Sequence, residues 1–289
     1  MQTAPKTYYH SIWCKTLGYP DTTPALLHPT TAGPAAHRPR MAYALRGSLA
    51  EAHGDGIWSV GWSTTGQIVT GGCDELVRSF IMPGGFSSPA LERQHELRGH
   101  ALGVTSVTVC SELGIVASSA LDSHIRVWSL EHGTEVLDID AGPIEAWTVS
   151  LSADGRRIAS GSQGGNVNMW SASDGQRLAT MSTGGKFVMS VACSPDGKHV
   201  ACGAADDGVV SVFDLESEKL LCRFQGHAGS VRSLAWSPDG QLLLTGSDDA
   251  HANNVRLPWR SVRVAHPRRR GLDRFVHRRG LVRRGRDAV

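Results

Sequence analysis

The chain has 289 residues and a formal net charge of +2, with 40% hydrophobic and 19% charged residues, the balance of an ordinary globular protein. Its 33 glycines follow no G-x-y period, which excludes collagen, and no apolar run approaches the roughly 18 residues a membrane helix needs. The charge is uneven: residues 251–289 hold twelve Arg against Asp273 and Asp287, a net of +10, whereas residues 41–250 carry −11. An acidic body of that kind is no groove for nucleic acid. Six cysteines, at positions 14, 73, 110, 193, 202 and 222, form no C-x-x-C pair. They are read as small buried hydrophobes in a reducing compartment, with no metal or cofactor expected.

Residues 1–44 are read as a disordered leader, with prolines at 5, 20, 24, 29, 34 and 39 and no strand alternation. Met41 opens a segment that runs directly into the first repeat unit and is a candidate native start. From 45 to 250 the chain repeats itself. Short alternating segments at 58–63, 106–111, 147–152, 190–194 and 233–237 each end in a polar turn, and the turn residues Asp154, Asp196 and Asp239 are 42 and 43 residues apart. A second strand is predicted after each turn, at 68–72, 115–119, 158–162, 200–204 and 243–247. A third strand ends in an aromatic residue in four units: Phe80, Trp128, Trp170 and Phe213. A period of about 42 residues with three or four short strands per unit is the pattern of a β-propeller blade. The fold class is therefore all-β, a WD-repeat propeller with about five recognisable blades.

WD blades join a His, a Ser or Thr, an Asp and a Trp through buried hydrogen bonds. The second unit has the whole set in His100, Ser118, Asp122 and Trp128. The first has His53, Thr70 and Asp74 with Phe80, and the fifth has His227, Thr245 and Asp249 with no aromatic. The third keeps Ser160 and Trp170, but has Gly142 and Gly164 at the His and Asp positions. The fourth keeps Phe213 and an Asp, 206 or 207, with Cys202 at the Ser position. These residues are expected to hold hairpins together and not to catalyse. No Walker A loop, HExxH or G-x-S-x-G motif is present, and no enzyme activity is expected.

The segments 51–62, 98–107, 117–128, 139–150, 185–204 and 224–239 resemble the small WD-repeat subunit shared by two assemblies, the cytoplasmic superkiller complex and the nuclear RNA polymerase II-associated factor complex. The most particular features are Asp140-Ala141-Gly142-Pro143 where Gly-His belongs, followed by Glu145-Ala146-Trp147-Thr148, and the Gly185-Lys186-Phe187 entry to the fourth unit. The resemblance implies a seven-bladed propeller that serves as a non-catalytic scaffold in 3′–5′ mRNA decay, transcription elongation and histone modification. It implies helical-repeat and helicase subunits of a superkiller-like complex, or subunits of the polymerase-associated factor complex, as partners. It places the chain in nucleus and cytoplasm, with no membrane and no direct nucleic-acid binding expected. A scaffold of another assembly, such as a ubiquitin-ligase substrate receptor, is the alternative.

Against seven blades the array stops short. Residues 251–289 are read as an Arg-rich, non-repeat, disordered tail, the product of truncation or a frameshift, so blades six and seven are missing from the expectation. The partner-binding surface is expected on the rim where first strands begin. Its candidates are Trp58, Thr105, Trp147, Met189 and Arg232, with Leu121, Glu145, Phe187, Ser230 and Asp248 nearby. Large apolar residues and Arg on such a rim suit a peptide with an apolar anchor and a basic residue, the latter met by Glu145 and Asp248.

Overall fold

Branched apolar residues alternating with small or polar ones form strands, and Gly- or Asp-bearing turns separate them. The computed structural model describes residues 48–83, 90–185, 187–205 and 207–257. The expected leader, 1–44, and the expected tail beyond residue 257 lie outside the described residues. Nineteen strands form five antiparallel meanders, with no helix among the described residues.

The first sheet runs β1 (Ile57–Trp62), β2 (Ile68–Gly72), β3 (Val77–Ile81) and β4 (Glu92–Leu97). The second runs β5 (Val104–Cys110), β6 (Ile115–Ala120), β7 (His124–Ser129) and β8 (Thr134–Asp140). The third runs β9 (Thr148–Leu151), β10 (Arg157–Gly161), β11 (Asn166–Ser171) and β12 (Arg177–Ser182). The fourth runs β13 (Val188–Cys193), β14 (His199–Ala204), β15 (Val209–Asp214) and β16 (Leu220–Gln225), and the fifth β17 (Val231–Trp236), β18 (Leu242–Ser247) and β19 (Ala252–Arg256). β19 corrects the sequence expectation that the repeat ends at 250. Val255 stands opposite Leu243, and Leu257 is buried beyond it, so an apolar pair completes a third strand without the terminal aromatic.

The core lies between sheets. Val69, Val77 and Leu97 of the first pack with Val104, Val107, Val116 and Trp128 of the second. Ala117, Ile125 and Val127 of the second pack with Val149, Ile158 and Trp170 of the third, and Ala201, Val210 and Val212 of the fourth with Val231 and Leu243 of the fifth. First strands lie side by side in sequence: β1 on β5, β5 on β9, β9 on β13, β13 on β17. Among the described residues no comparable strand packing joins the fifth sheet back to the first.

Two irregularities recur. Where the first strand meets the second, the register slips by one residue at Ile57/Ser59, Val104/Ser106, Val188/Ser190 and Val231/Ser233, leaving Trp58, Thr105, Met189 and Arg232 on bulges. Where the third strand meets the fourth, the slip falls at the terminal aromatic: Phe80, Trp128, Trp170 and Phe213. A bulge re-aims the side chain it displaces.

Close approach between sheets needs glycine, as at Gly203. A Cβ on Gly203 would sit 2.6 Å from the Val231 methyl of the next sheet. Gly203→Val is therefore expected to cost about 2 kcal/mol by overpacking. Urea unfolding of the variant should show a lowered midpoint at unchanged slope; an unchanged midpoint would mean the sheets are not pressed together there.

Candidate functional site

Two sets of residues carry the structural and functional chemistry: buried locks inside the sheets, and the rim those locks hold in place. In the second sheet Asp122 accepts from His100 Nδ1–H at 3.0 Å, from Ala101 N–H at 2.9 Å and from His124 N–H at 3.0 Å. With the proton on Nδ1, His100 Nε2 accepts from the Ser118 hydroxyl at 2.8 Å, and that same oxygen accepts from Trp128 Nε1–H at 2.8 Å. Ser, His and Asp thus stand in the order of a hydrolase triad. Ser118 and Trp128 are buried and the hydroxyl oxygen is occupied, so no substrate reaches a nucleophile there. Burial alone would raise the Asp122 carboxyl; the three N–H donors outweigh it and hold the group at about 2.

The first and fifth sheets repeat the arrangement. His53 bonds Thr70 at 2.7 Å and Asp74 at 2.7 Å, and His227 bonds Thr245 at 2.7 Å and Asp249 at 3.0 Å. Arg78 adds a second layer in the first sheet, donating to Asp74 at 3.0 Å and Glu96 at 2.9 Å. Burial works against the Asp74 and Asp249 carboxyls too, and the same kind of donors keep both low. In the fourth sheet Cys202 replaces the hydroxyl and makes only a weak 3.6 Å contact to the Ser211 carbonyl; burial pushes its thiol up to about 12, which leaves it unreactive.

The third sheet solves the missing histidine differently. Trp170 Nε1–H donates to Ser160 at 2.9 Å, and the Ser160 hydroxyl turns to the Glu145 carbonyl at 3.1 Å. The Glu145 carboxylate accepts from buried Asn168 at 2.7 Å, whose other end accepts from Thr180 at 2.8 Å. Glu145 is therefore a lock residue, which corrects its expected place as an acid awaiting a basic partner. Asp248 needs the same correction. It forms a forked pair with Arg232, Nε to both oxygens at 2.9 Å and Nη2 at 2.8 Å. Neither its charge nor that of Arg232 is spare.

The apolar residues expected on the rim lie at or beside the starts of first strands. Trp58 is exposed and its ring overhangs Gly103 of the next sheet. Leu121 is exposed, while Thr105 turns its hydroxyl to the Ser119 carbonyl at 3.1 Å. Half-buried Trp147 meets Phe187 of the fourth sheet edge-on, with centroids 5.3 Å apart at 79°, and half-buried Met189 lies on the bulge that follows. Two further rim residues were missed in the sequence: exposed Leu102, in the loop after His100, and exposed Ile144, whose backbone is held at φ +65°. Their signal was a bulky apolar residue in a loop that otherwise carries Gly, Asp and Ser. Glu51 and Asp55, in the loop before β1, and Asp140, the last residue of β8, are exposed.

The model of the WD domain, G-beta repeat, matches residues 46–80, 91–129, 136–171, 175–214 and 218–253. The chain is 36% identical over 204 residues to WD repeat-containing protein SL1-17 of Schistosoma mansoni, covering 69% of this chain and 66% of that one. It is 32% identical over 218 residues to WD repeat-containing protein VIP3 of Arabidopsis thaliana, again covering 69% and 66%. Pre-mRNA-processing factor 19 homolog 2 of the same plant is 27% identical over 195 residues, 63% of this chain and 34% of that protein. The chain thus spans just under two thirds of the first two relatives, at 66% of each.

The locks titrate. A carboxyl whose folded value is about 2 and whose ordinary value is 3.8 stabilises the fold fully above about pH 4, and that contribution fades as the pH falls toward 2. Asp122→Asn removes the charge, and is expected to lower the urea midpoint at pH 7 and flatten its fall between pH 4 and 2. A variant with the acid profile of the parent would take Asp122 out of the lock.

Proposed function

We infer that this chain, which belongs to the WD-repeat family, holds a larger partner by receiving a short peptide on its aromatic rim. The observation that carries this reading is the Trp147–Phe187 pair, edge-on at 5.3 Å and half-buried across the joint between the third and fourth sheets. A rim that met only water would gain nothing from two such rings. Aromatic side chains set in a packed, partly dry position are where truncation costs binding most. Exposed Trp58, Leu102, Leu121 and Ile144 and half-buried Met189 lie at or beside other first-strand starts, and Glu51, Asp55 and Asp140 add exposed negative charge just before the first strands of the first and third sheets. An apolar anchor flanked by a basic residue fits that pattern.

The assembly proposed is superkiller-like in the cytoplasm and polymerase-associated in the nucleus, with the peptide supplied by a helical-repeat subunit. Two facts support it. The segment that carries the family resemblance, from Asp140 to Thr148, is the one that builds the unusual third lock and presents Ile144 and Trp147. One relative is itself named a pre-mRNA-processing factor, which sets a related chain in RNA metabolism.

Affinity purification on the tagged full-length chain tests the reading. Trp147→Ala should lose the helical-repeat subunit, with a cost of about 2 kcal/mol or some thirtyfold in affinity, while the yield of soluble protein hardly changes. Undiminished recovery would discard the rim. Recovery of a ubiquitin-ligase adaptor in place of decay or elongation subunits would discard the assembly.

A further inference from the structure

The loop that leads into β9 contains a residue its backbone disfavours. Glu145 N–H donates to the Gly142 carbonyl at 3.3 Å, which closes a four-residue turn with Pro143 second and Ile144 third. Proline suits the second place, because its ring fixes φ near about −65°. With Ile144 at φ +65° the turn is of type II, and its third place calls for Gly or Asn. A β-branched side chain there crowds its own backbone. Glycine fills twelve positive-φ positions among the described residues. The other non-glycine ones are Glu51, Glu75, Ser123, Glu218 and Ala250, and none of these is β-branched.

Burial does not repay that strain, because Ile144 is 53% exposed. The exposure does not come from a missing neighbour either, since β9 packs between β5 and β13. Nor can the loop relax. Gln163 N–H donates to the Ile144 carbonyl at 2.9 Å, and Gly142 N–H to Asp140 at 3.0 Å. The Ser160 hydroxyl holds the Glu145 carbonyl at 3.1 Å, and Asn168 holds its carboxylate at 2.7 Å. Surrounding bonds thus over-determine a conformation that costs the fold stability, at a side chain the fold leaves in solvent. Strain of that kind points to a contact kept for another molecule.

We propose that Ile144 is a specificity-determining contact for the peptide received at the rim, meeting an apolar side chain of the partner that stands beside a Lys or Arg. The proposal rests on the proposed function of the rim and names the residue that selects the anchor. Ile144 lies three residues before Trp147, whose ring pairs with Phe187, so it continues the surface already assigned to binding. Charge fixes the neighbour of the anchor. Between 138 and 145 the chain has Asp138, Asp140 and Glu145 and no Lys or Arg. Asp138 is met by Arg126 and Glu145 by Asn168, so exposed Asp140 is the charge that a basic residue of the peptide would meet.

Two variants separate binding from folding. Ile144→Gly and Ile144→Asn both suit the left-handed place, and both remove the apolar side chain. In urea unfolding of the full-length chain each is expected to keep or raise the midpoint of the parent. The probe for binding is a phage-displayed library of random peptides enriched on the full-length parent, with Trp147→Ala used to pick out those that need the rim. Such peptides are expected to carry an apolar residue beside Lys or Arg, and to bind both Ile144 variants at least about tenfold more weakly. Peptides that need Trp147 yet bind the Ile144 variants as they bind the parent would overturn this proposal and leave the rim in place. A library that yields no Trp147-dependent peptide would remove the rim and the proposal together. A lowered midpoint in both variants would show that Ile144 serves the fold. Self-association of the parent in analytical ultracentrifugation that both variants abolish would give the contact to a second copy. Either result overturns the proposal.

Discussion

Three times in this chain a valine from one sheet rests on a glycine of the sheet before it: Val104 on Gly71, Val188 on Gly161 and Val231 on Gly203. Everything else depends on that close approach. A single four-stranded meander has two faces and too little core to cover either. Pressed together at these points, the sheets bury Val69, Ile158 or Val210 between them, and the first strands are held near enough for Ser59, Ser106 and Ser190 to bond across. The bulge between each valine knob and its hydroxyl is a consequence: the chain must drop the knob onto the neighbour and still pair with its own second strand. Thr105, Met189 and Arg232 are displaced by that demand, and Trp58 sits on the matching bulge of β1. The proposed binding surface and the joint are therefore two products of one irregularity.

The buried locks have a different task. They fix the loop that delivers the first strand, because Asp74, Asp122 and Asp249 each hold a backbone N–H just after the histidine as well as the histidine itself. Each bond is worth about 1 kcal/mol net, and an orphaned member costs about 1–3 kcal/mol, so a lock is retained whole or rebuilt. The third sheet is the rebuilt case. Glu145 supplies both a carbonyl for Ser160 and a carboxylate for Asn168, and in doing so sets Ile144 and Trp147 at the rim. The unusual lock and the aromatic site are thus one piece of chain.

Periodicity alone made five units, their strand order and three His-Asp pairs legible, since turn chemistry and alternation recur at fixed spacing. The recurring first-strand positions at 58, 105, 189 and 232, all on bulges, were legible for the same reason. What the pattern concealed was reach. Nothing in the letters Glu145 and Asp248 tells that one carboxylate bends inward to Asn168 and the other pairs with Arg232 across a hairpin. β19 was hidden because Ala252–Arg256 lacks the aromatic that marked the other third strands, and its burial comes instead from Val255 and Leu257.

Hydrogen exchange on the full-length chain, free and in the complex purified from cells, tests most directly the claim that the rim is the surface in use. Slowed exchange is expected in the loops at 141–147 and 183–187 and along the start of β5 and β13, with the outer strands β4, β8 and β12 unchanged. Protection confined to those outer strands, with the two loops exchanging as in the free chain, would contradict it.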